Sequence, residues 1–175
     1  MSATGASSGA FKGSAVTSVV LEEGMTELPA AAFNGATNLT SVTIPSTLTT
    51  VGVNAFRSTA LTELTIPATL TNIAYGAFRD MTSLETVTFE GTHVDIPNYA
   101  FRGCSSLKVV NLKNADTATI GTNMAFCNAS SNNPNTNNIT FYVKNAEVAE
   151  LVKASMGVGS YVAIYVGDTL YAEIK

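Results

Sequence analysis

Few side chains in this sequence have the chemistry of a catalytic or metal-binding group, and their spacing brings few of them together. His93 is the only histidine, and no second ligand stands at a spacing typical of a metal site. Glu63 and Glu85 are expected to share one face of a sheet, but glycoside hydrolysis needs a cleft between the two carboxylates. The sequence therefore predicts no enzyme, no cofactor and no metal, and it places His93 on a solvated rim.

The two cysteines, Cys104 and Cys127, are 23 positions apart, and both a disulfide and two buried thiols are open interpretations. A disulfide would indicate a secreted protein. Cys104 comes three positions after a phenylalanine, however, whereas Cys127 comes only one after. Because free cysteine packs as a small apolar residue, the mismatch favours buried thiols. The residues in the place of Cys104 elsewhere in the chain are those of a packing position: Ser14, Ala36, Thr59 and Met81.

Three arginines, Arg57, Arg79 and Arg102, each follow a phenylalanine directly, and Lys12 has the same place earlier in the chain. Like charges in one row repel each other, so the row could bind an anion, although Asp80 could offset the charge. A solvated row on the outside of the fold is the favoured interpretation. The row lacks the aromatic partners of a nucleic-acid site, and the net charge is −4, so no nucleic-acid partner is predicted.

These groups are positioned by a repeat that occurs five times. Its first strand begins in steps of 23, 22, 23 and 23 residues, at Val16, Leu39, Leu61, Leu84 and Leu107. Each of these strands is followed later in its repeat by an Ala-Phe pair, and the phenylalanines are Phe33, Phe56, Phe78, Phe101 and Phe126. Phe11 ends an incomplete repeat before the first. A fixed period in the low twenties predicts a stacked solenoid, which presents an extended surface rather than a pocket.

Each repeat is expected to form one coil around an apolar strip. In the third repeat Leu64 and Ile66 alternate with Thr65, which is the period of a strand, and Pro67 ends it. Stacked coils place such strands in a parallel sheet roughly 4.8 Å apart, with every phenylalanine near that of the next coil. The fourth repeat has His93 at an apolar position, which Val94 can fill by a slip of one residue.

The chain after Phe126 departs from the repeat. A strand is predicted at Ile139 to Val143, then a helix from about Ala146 to Met156 that is capped by Asn145. The apolar side of the helix is predicted to hold Val148, Leu151, Val152 and Ser155 or Met156. A hairpin is predicted around Gly167-Asp168, with strands Tyr161 to Val166 and Thr169 to Ile174. The predicted domains are a flexible segment 1–8, a solenoid 9–138 and a cap 139–175 formed by the strand, helix and hairpin.

The repeats LTSVTIPSTLTTVGVNAF and LTELTIPATLTNIAYGAF, and the later ITFYVKNAEVAELVKASMG, resemble the BspA-type leucine-rich repeats. The resemblance covers about residues 9 to 157. It implies an α/β solenoid of about five repeats of 22–23 residues, bent into a right-handed horseshoe with a parallel β-sheet and no catalytic site. It also implies a cell-surface or secreted protein of a host-associated bacterium, often an adhesin. The family supplies no invariant binding motif, so no ligand is implied.

The residues between the strand anchors are expected to line the concave face of the sheet in three columns. The candidate binding residues in these columns are Thr40, Ser41, Thr43, Thr62, Glu63, Thr65, Glu85, Thr86, Thr88, Lys108 and Asn111. Small polar groups on a flat sheet suit a protein or glycan partner better than a small molecule, which needs an apolar pocket. The alternative is that threonine is simply a good strand residue on a solvated face.

These observations predict a non-enzymatic protein-protein or protein-glycan interaction module of an adhesin, acting as a monomer or weak dimer. The alternative is a structural spacer or stalk without a ligand of its own. No apolar run reaches the ~18 residues of a membrane span, so no membrane insertion is predicted for this segment. The stretch from Ser2 to Gly9 has no basic start and no apolar run, so no signal peptide is visible in it. Ala10-Phe11 looks like the end of a repeat whose front is missing. A piece of a longer exported chain is favoured, and a cytoplasmic protein is the alternative.

Overall fold

The computed structural model describes residues 9–121, 125–126, 138–156 and 162–174. The segment 1–8, Cys127 and Tyr161 lie outside the described residues, and so does the position of the Cys127 thiol.

Each coil contributes two short strands that belong to separate sheets. The first strands of the coils are β1 (Ser18–Val20), β3 (Ser41–Thr43), β5 (Glu63–Ile66), β7 (Thr86–Phe89) and β9 (Val109–Leu112). The second strands are β2 (Glu27–Leu28), β4 (Thr50–Val51), β6 (Asn72–Ile73), β8 (His93–Ile96) and β10 (Thr117–Ile120). All of these strands pair in parallel with those of neighbouring coils, as the solenoid prediction requires.

The register of the coils follows the period of the sequence. Glu63 pairs with Thr86, and Thr86 pairs with Val109, so equivalent residues of consecutive repeats lie side by side. The first strands nevertheless form two sheets, because β1 pairs with β3 while β5, β7 and β9 belong to a second, larger sheet. The second strands are likewise divided, into β2-β4-β6 and β8-β10.

A column of stacked phenylalanines runs through the middle of the coils. Adjacent rings have centroids 5.2–5.9 Å apart and lie within 16° of parallel, from Phe11 through Phe33, Phe56, Phe78 and Phe101 to Phe126. The backbone joins the same coils, since the amide of Phe33 donates to the carbonyl of Ala55 at 2.7 Å. The predicted contact between phenylalanines is confirmed. The column has six members, so the solenoid has about six turns rather than five, because the segment around Phe11 stacks as part of a coil.

The turns beside this column share an uncommon backbone conformation. In the five coils from Phe11 to Phe101 two positions have a positive φ, one just before the Ala-Phe pair and one two residues after it. Asp80 (φ 57°) is an example of the second position, and its amide donates to the carbonyl of Arg102 in the next coil at 2.7 Å. This left-handed conformation costs about 1–2 kcal/mol at a residue other than glycine. This local strain accompanies a backbone geometry in which peptide groups point towards the next coil and form hydrogen bonds with it.

The position predicted for packing is buried in successive coils, at Ala36, Thr59, Met81 and Cys104. The Cys104 thiol donates to the carbonyl of Phe78 at 3.2 Å. Burial raises the pKa of Cys104 to about 12, so the thiol stays protonated near neutral pH. The structure therefore supports the interpretation of Cys104 as a buried thiol at a packing position.

The fourth repeat contains the predicted slip. Val94 is buried, whereas His93 is exposed, and its Nδ1 lies 2.7 Å from the hydroxyl of Thr117 in the next coil. The histidine thus lies on the surface and contacts a hydroxyl group.

The C-terminal part has the predicted elements, with one correction in the helix. They are β11 (Ile139–Val143), α1 (Ala146–Ser155), β12 (Val162–Val166) and β13 (Thr169–Ile174). The Asn145 side chain accepts from the amide of Val148 at 2.9 Å, which is the predicted cap. The prediction that Leu151 faces the core is wrong, since the buried residues are Val148, Ala149, Val152 and Ser155, and Leu151 is 38% exposed. At 100° per residue Leu151 lies beyond the edge of that arc.

The hairpin formed by β12 and β13 continues the larger sheet. Strand β12 pairs in parallel with β11, and β13 pairs with β12 in the antiparallel direction. Helix α1 contacts β10, β11 and β12. The closure of the solenoid end by these elements and the bending of the coils into a horseshoe remain predictions. Among the described residues no helix is long and apolar enough to cross a membrane.

Candidate interaction surface

The outward side chains of the first strands, with the residue that precedes each strand, form a surface that we name the polar face. Alternation within β5 shows its origin, because Leu64 and Ile66 are buried while Glu63 and Thr65 are exposed. The same pattern in β7 and β9 keeps two columns in line from one coil to the next. The second column contains Glu63, Thr86 and Val109, and the third contains Thr65, Thr88 and Asn111. The face is therefore a direct product of the strand period and the coil register.

The structure places every candidate binding residue on this face. Eight are exposed: Thr40, Ser41, Thr43, Thr62, Glu63, Thr65, Glu85 and Lys108. Three are half-buried: Thr86, Thr88 and Asn111. The third column continues unbroken from Thr65 through Thr88 to Asn111. Only Thr40, Ser41 and Thr43 stand apart, because β3 belongs to the other sheet.

Some of these residues already have partners within the chain. The Glu85 carboxylate lies 3.1 Å from the Lys108 ammonium, and both side chains are at least half exposed, so the pair adds little stability. The Asn111 amide oxygen accepts from the Lys113 backbone at 3.0 Å and thereby fixes the turn after β9. Glu63 has no ion-pair partner in the part of the chain that the structure describes.

Two tyrosines extend the third column at its C-terminal end. Tyr142 pairs with Asn111 on one side and with Tyr165 on the other. The two rings stack with centroids 5.5 Å apart, and the Lys113 ammonium lies 4.8 Å from the centre of the Tyr142 ring. The sequence prediction omitted this aromatic patch. The signal was present, since Tyr165 follows Tyr142 by 23 positions, which is the period of the repeat.

The arginine row is partly neutralised. One oxygen of Asp80 lies 3.0 Å from Nε of Arg57 and 3.2 Å from Nε of Arg79. The Arg102 guanidinium lies over the Tyr99 ring, 5.3 Å from its centre. A carboxylate between two of the three arginines lowers the attraction of the row for an anion.

The described residues contain no group of three or more His, Cys, Asp or Glu side chains placed to hold a metal ion. Glu63 pairs with Thr86, the residue after Glu85, and both glutamates are exposed. This geometry provides an exposed surface rather than an enclosed reaction site.

Comparison with known proteins gives a family match and several similar folds. Six copies of the BspA type leucine rich repeat region match residues 4–145. The pneumococcal vaccine antigen PcpA has a similar structure, with a TM-score of 0.73 and 19% identity over 90% of this chain and 38% of that chain. A leucine-rich repeat protein from Bacteroides ovatus gives 0.51 and 19% over 74% of this chain and 43% of that one.

A leucine rich cell surface protein from Faecalibacterium prausnitzii is 25% identical, with a TM-score of 0.46 over 61% of this chain and 38% of that chain. The chain thus spans less than half the length of each of these three proteins. No significant similarity to a curated protein is found.

Proposed function

The chain belongs to the BspA-type leucine-rich repeat family, and we propose that it is the interaction module of a bacterial adhesin. The module binds a protein or glycan through the polar face and has no enzymatic activity of its own. Cell-surface or secreted localisation in a host-associated bacterium is part of the proposal. The family and the fold shared with the pneumococcal vaccine antigen support it.

The observation that carries this proposal is the exposed field of small polar side chains in a fixed register. Thr65 and Thr88 lie side by side on neighbouring strands, so their hydroxyl groups repeat at the spacing of the coils. Such groups donate and accept hydrogen bonds without the desolvation cost of charges. Flat surfaces of this kind suit macromolecules, because small molecules prefer concave apolar sites. A single module would bind weakly, and many copies on one cell would multiply the strength.

A spacer function is the second candidate, and the phenylalanine column favours it. Six stacked rings and the backbone bonds between their coils join consecutive coils tightly. A protein that only holds another domain away from the cell needs this stiffness and no ligand.

Binding assays on the purified protein distinguish the two functions. The panel contains matrix proteins, glycans and whole host cells, and the test variant is Thr65→Glu/Thr88→Lys. The matched control is Thr50→Glu/Asn72→Lys, which changes paired neighbours on the sheet of second strands. All three proteins are first shown to melt alike.

An adhesin that uses the polar face loses binding in the test variant and keeps it in the control. Binding that is equal in all three proteins would exclude the polar face. No binding to any member of the panel would contradict the adhesin function and leave the spacer.

A further inference from the structure

The polar face is interrupted between β3 and β5, and the cause is a short turn. Phe56 precedes Leu61 by five positions, whereas Phe33 precedes Leu39 by six and Phe78 precedes Leu84 by six. The missing residue makes the step from Leu39 to Leu61 22 residues instead of 23. The phenylalanine column is unaffected, since the Phe33 and Phe56 rings are 5.5 Å apart. The second strands β4 and β6 also pair across this step, so the two coils separate only at their first strands.

Hydrogen bonds at the entry to the strands show the shift. The amides of Thr40, Glu85 and Lys108 each donate to the residue 23 positions earlier, at 2.8–2.9 Å. In the third coil Ala60 donates instead to Leu39, 21 positions earlier, at 2.9 Å. Within the described residues no strand ladder follows between β3 and β5.

Because β3 and β5 do not pair, the backbone N–H and C=O groups on their facing edges form no ladder bonds with each other. The Ser41 amide donates to Thr17 and the Thr43 carbonyl accepts from Leu21, both on the side of β1, so the N–H and C=O of Val42 point to the other side. The carbonyls of Thr62 and Ile66 accept from Thr86 and Glu90 on the side of β7. The N–H and C=O groups of Glu63 and Thr65 therefore point towards β3. Two facing strand edges are thus available in the middle of a surface. In other proteins, exposed strand edges of this kind pair with a strand of another chain.

A cleft of about 370 Å³ lies between these edges, and we name it the β3–β5 cleft. Its lining includes Val42, Ile44, Glu63, Thr65 and Glu90. Its apolar floor is more exposed than the same positions of other coils. Val42 is half-buried, whereas its equivalents Val19, Val87 and Val110 are at most 2% exposed.

The charge at the rim of the β3–β5 cleft is negative. Glu63 and Glu90 are both exposed, and neither has an ion-pair partner among the residues that the structure describes. None of the described residues that line the cleft is a lysine or an arginine. A bound segment that carries basic side chains would therefore gain charge-assisted hydrogen bonds here.

We propose that the β3–β5 cleft binds an extended peptide segment of a partner protein, in which basic side chains alternate with apolar ones. Its backbone pairs with the free edges of β3 and β5, as in β-strand addition. Alternate side chains point to opposite sides of a strand, so the apolar ones contact Val42 and Ile44 while the basic ones reach Glu63 and Glu90. This inference rests on the proposed function and specifies where on the polar face a protein partner binds.

The test uses a phage-displayed library of random octapeptides as the probe. Selection is carried out on the natural protein and on a variant with one Asn inserted between Ala60 and Leu61, which restores the 23-residue step. Selected peptides are then synthesised, and their affinities for both proteins are measured by fluorescence anisotropy. We expect alternating basic and apolar peptides that bind the insertion variant weaker by about tenfold or more.

A second variant, Glu63→Gln/Glu90→Gln, keeps the cleft and removes its charge, and it carries the test if the insertion variant does not fold. We expect it to weaken binding by about tenfold, and more at low salt. The control Glu27→Gln/Asp95→Asn removes two exposed carboxylates from the second strands and should bind as the natural protein does.

Equal peptide binding by the natural protein and the insertion variant would overturn the proposal, and so would a selection that yields no binders. Peptides that bind the Glu63→Gln/Glu90→Gln variant with unchanged affinity would overturn the choice of a basic segment. A further variant, Thr88→Lys/Asn111→Lys, separates this inference from the proposed function. Binding that it abolishes, but that the insertion leaves intact, would keep the polar face as the binding surface and place the peptide outside the cleft.

Discussion

The phenylalanine column and the polar face are built from the same coils, yet one is continuous and the other is divided. From Phe11 to Phe126 no ring spacing exceeds 5.9 Å, although the repeats differ in length. The first strands of the same coils form separate sheets where the 22-residue step occurs, whereas the second strands β4 and β6 pair across it. The coils thus accommodate the missing residue on the side of the first strands. We infer that the column maintains the fold while the face is free to vary.

The column should therefore show the largest loss on mutation. Phe78→Ala removes a fully buried ring that stacks on Phe56 and Phe101 at 5.9 and 5.2 Å. We expect the free energy of unfolding to fall by about 3–5 kcal/mol, because the cavity is closed in on both sides. Chemical denaturation followed by circular dichroism measures it. A change below ~1 kcal/mol would show that the column is not the main source of stability.

Amide hydrogen exchange compares two neighbours within one strand. The Thr65 amide points into the β3–β5 cleft, whereas that of Ile66 points towards β7. We expect Thr65 to exchange faster than Ile66 by on the order of 100-fold, since it lacks a ladder bond. Thr88 in the uninterrupted part of the sheet is the control, and its amide should be protected. Equal protection of Thr65 and Thr88 would mean that β3 and β5 pair in solution.

Equivalent valines in the continuous ladder and at the β3–β5 cleft should differ in their contribution to the free energy of unfolding. Val87 is fully buried in the continuous ladder, and Val42 is half-buried at the cleft. Val87→Ala should lower the free energy of unfolding by about 2 kcal/mol, because it removes buried methyl groups and leaves a cavity. Val42→Ala should cost about 1 kcal/mol or less. Thermal melts of the two variants at equal concentration test this, and equal losses would show that the floor of the cleft is packed like the core.

Most of the fold was predictable from the sequence, because a fixed period defines both the neighbours and the faces. The phenylalanine contacts, the burial of Val94 and the Asn145 cap all follow from local spacing and side-chain chemistry. The consequence of the 22-residue step was not predictable. A missing residue can be accommodated by a turn or by a strand, and the packing of the whole coil decides between them.

The aromatic end of the polar face was missed for a related reason. The chain between Phe126 and Ile139 is longer than the corresponding part of a repeat, so the period was no longer followed beyond it. Tyr142 and Tyr165 restore that period one coil later, and their pairing in a parallel ladder places them beside Asn111. The error at Leu151 has another cause. The packing of α1 on the sheet determines which arc of the helix is buried, and the sequence period does not.

The smallest expected effect on stability belongs to the ion pair of the polar face. Lys108→Met removes the partner of Glu85, and both side chains are at least half exposed. The free energy of unfolding should change by less than ~0.5 kcal/mol, because exposed pairs are screened by water and salt. Lys153→Met is the matched control, since it breaks an equally exposed pair with Glu150 on helix α1. Stability that is unchanged in both variants, with ligand binding altered only by Lys108→Met, would show that this part of the face serves recognition. Binding that neither variant alters would exclude Lys108 from the contact with the ligand.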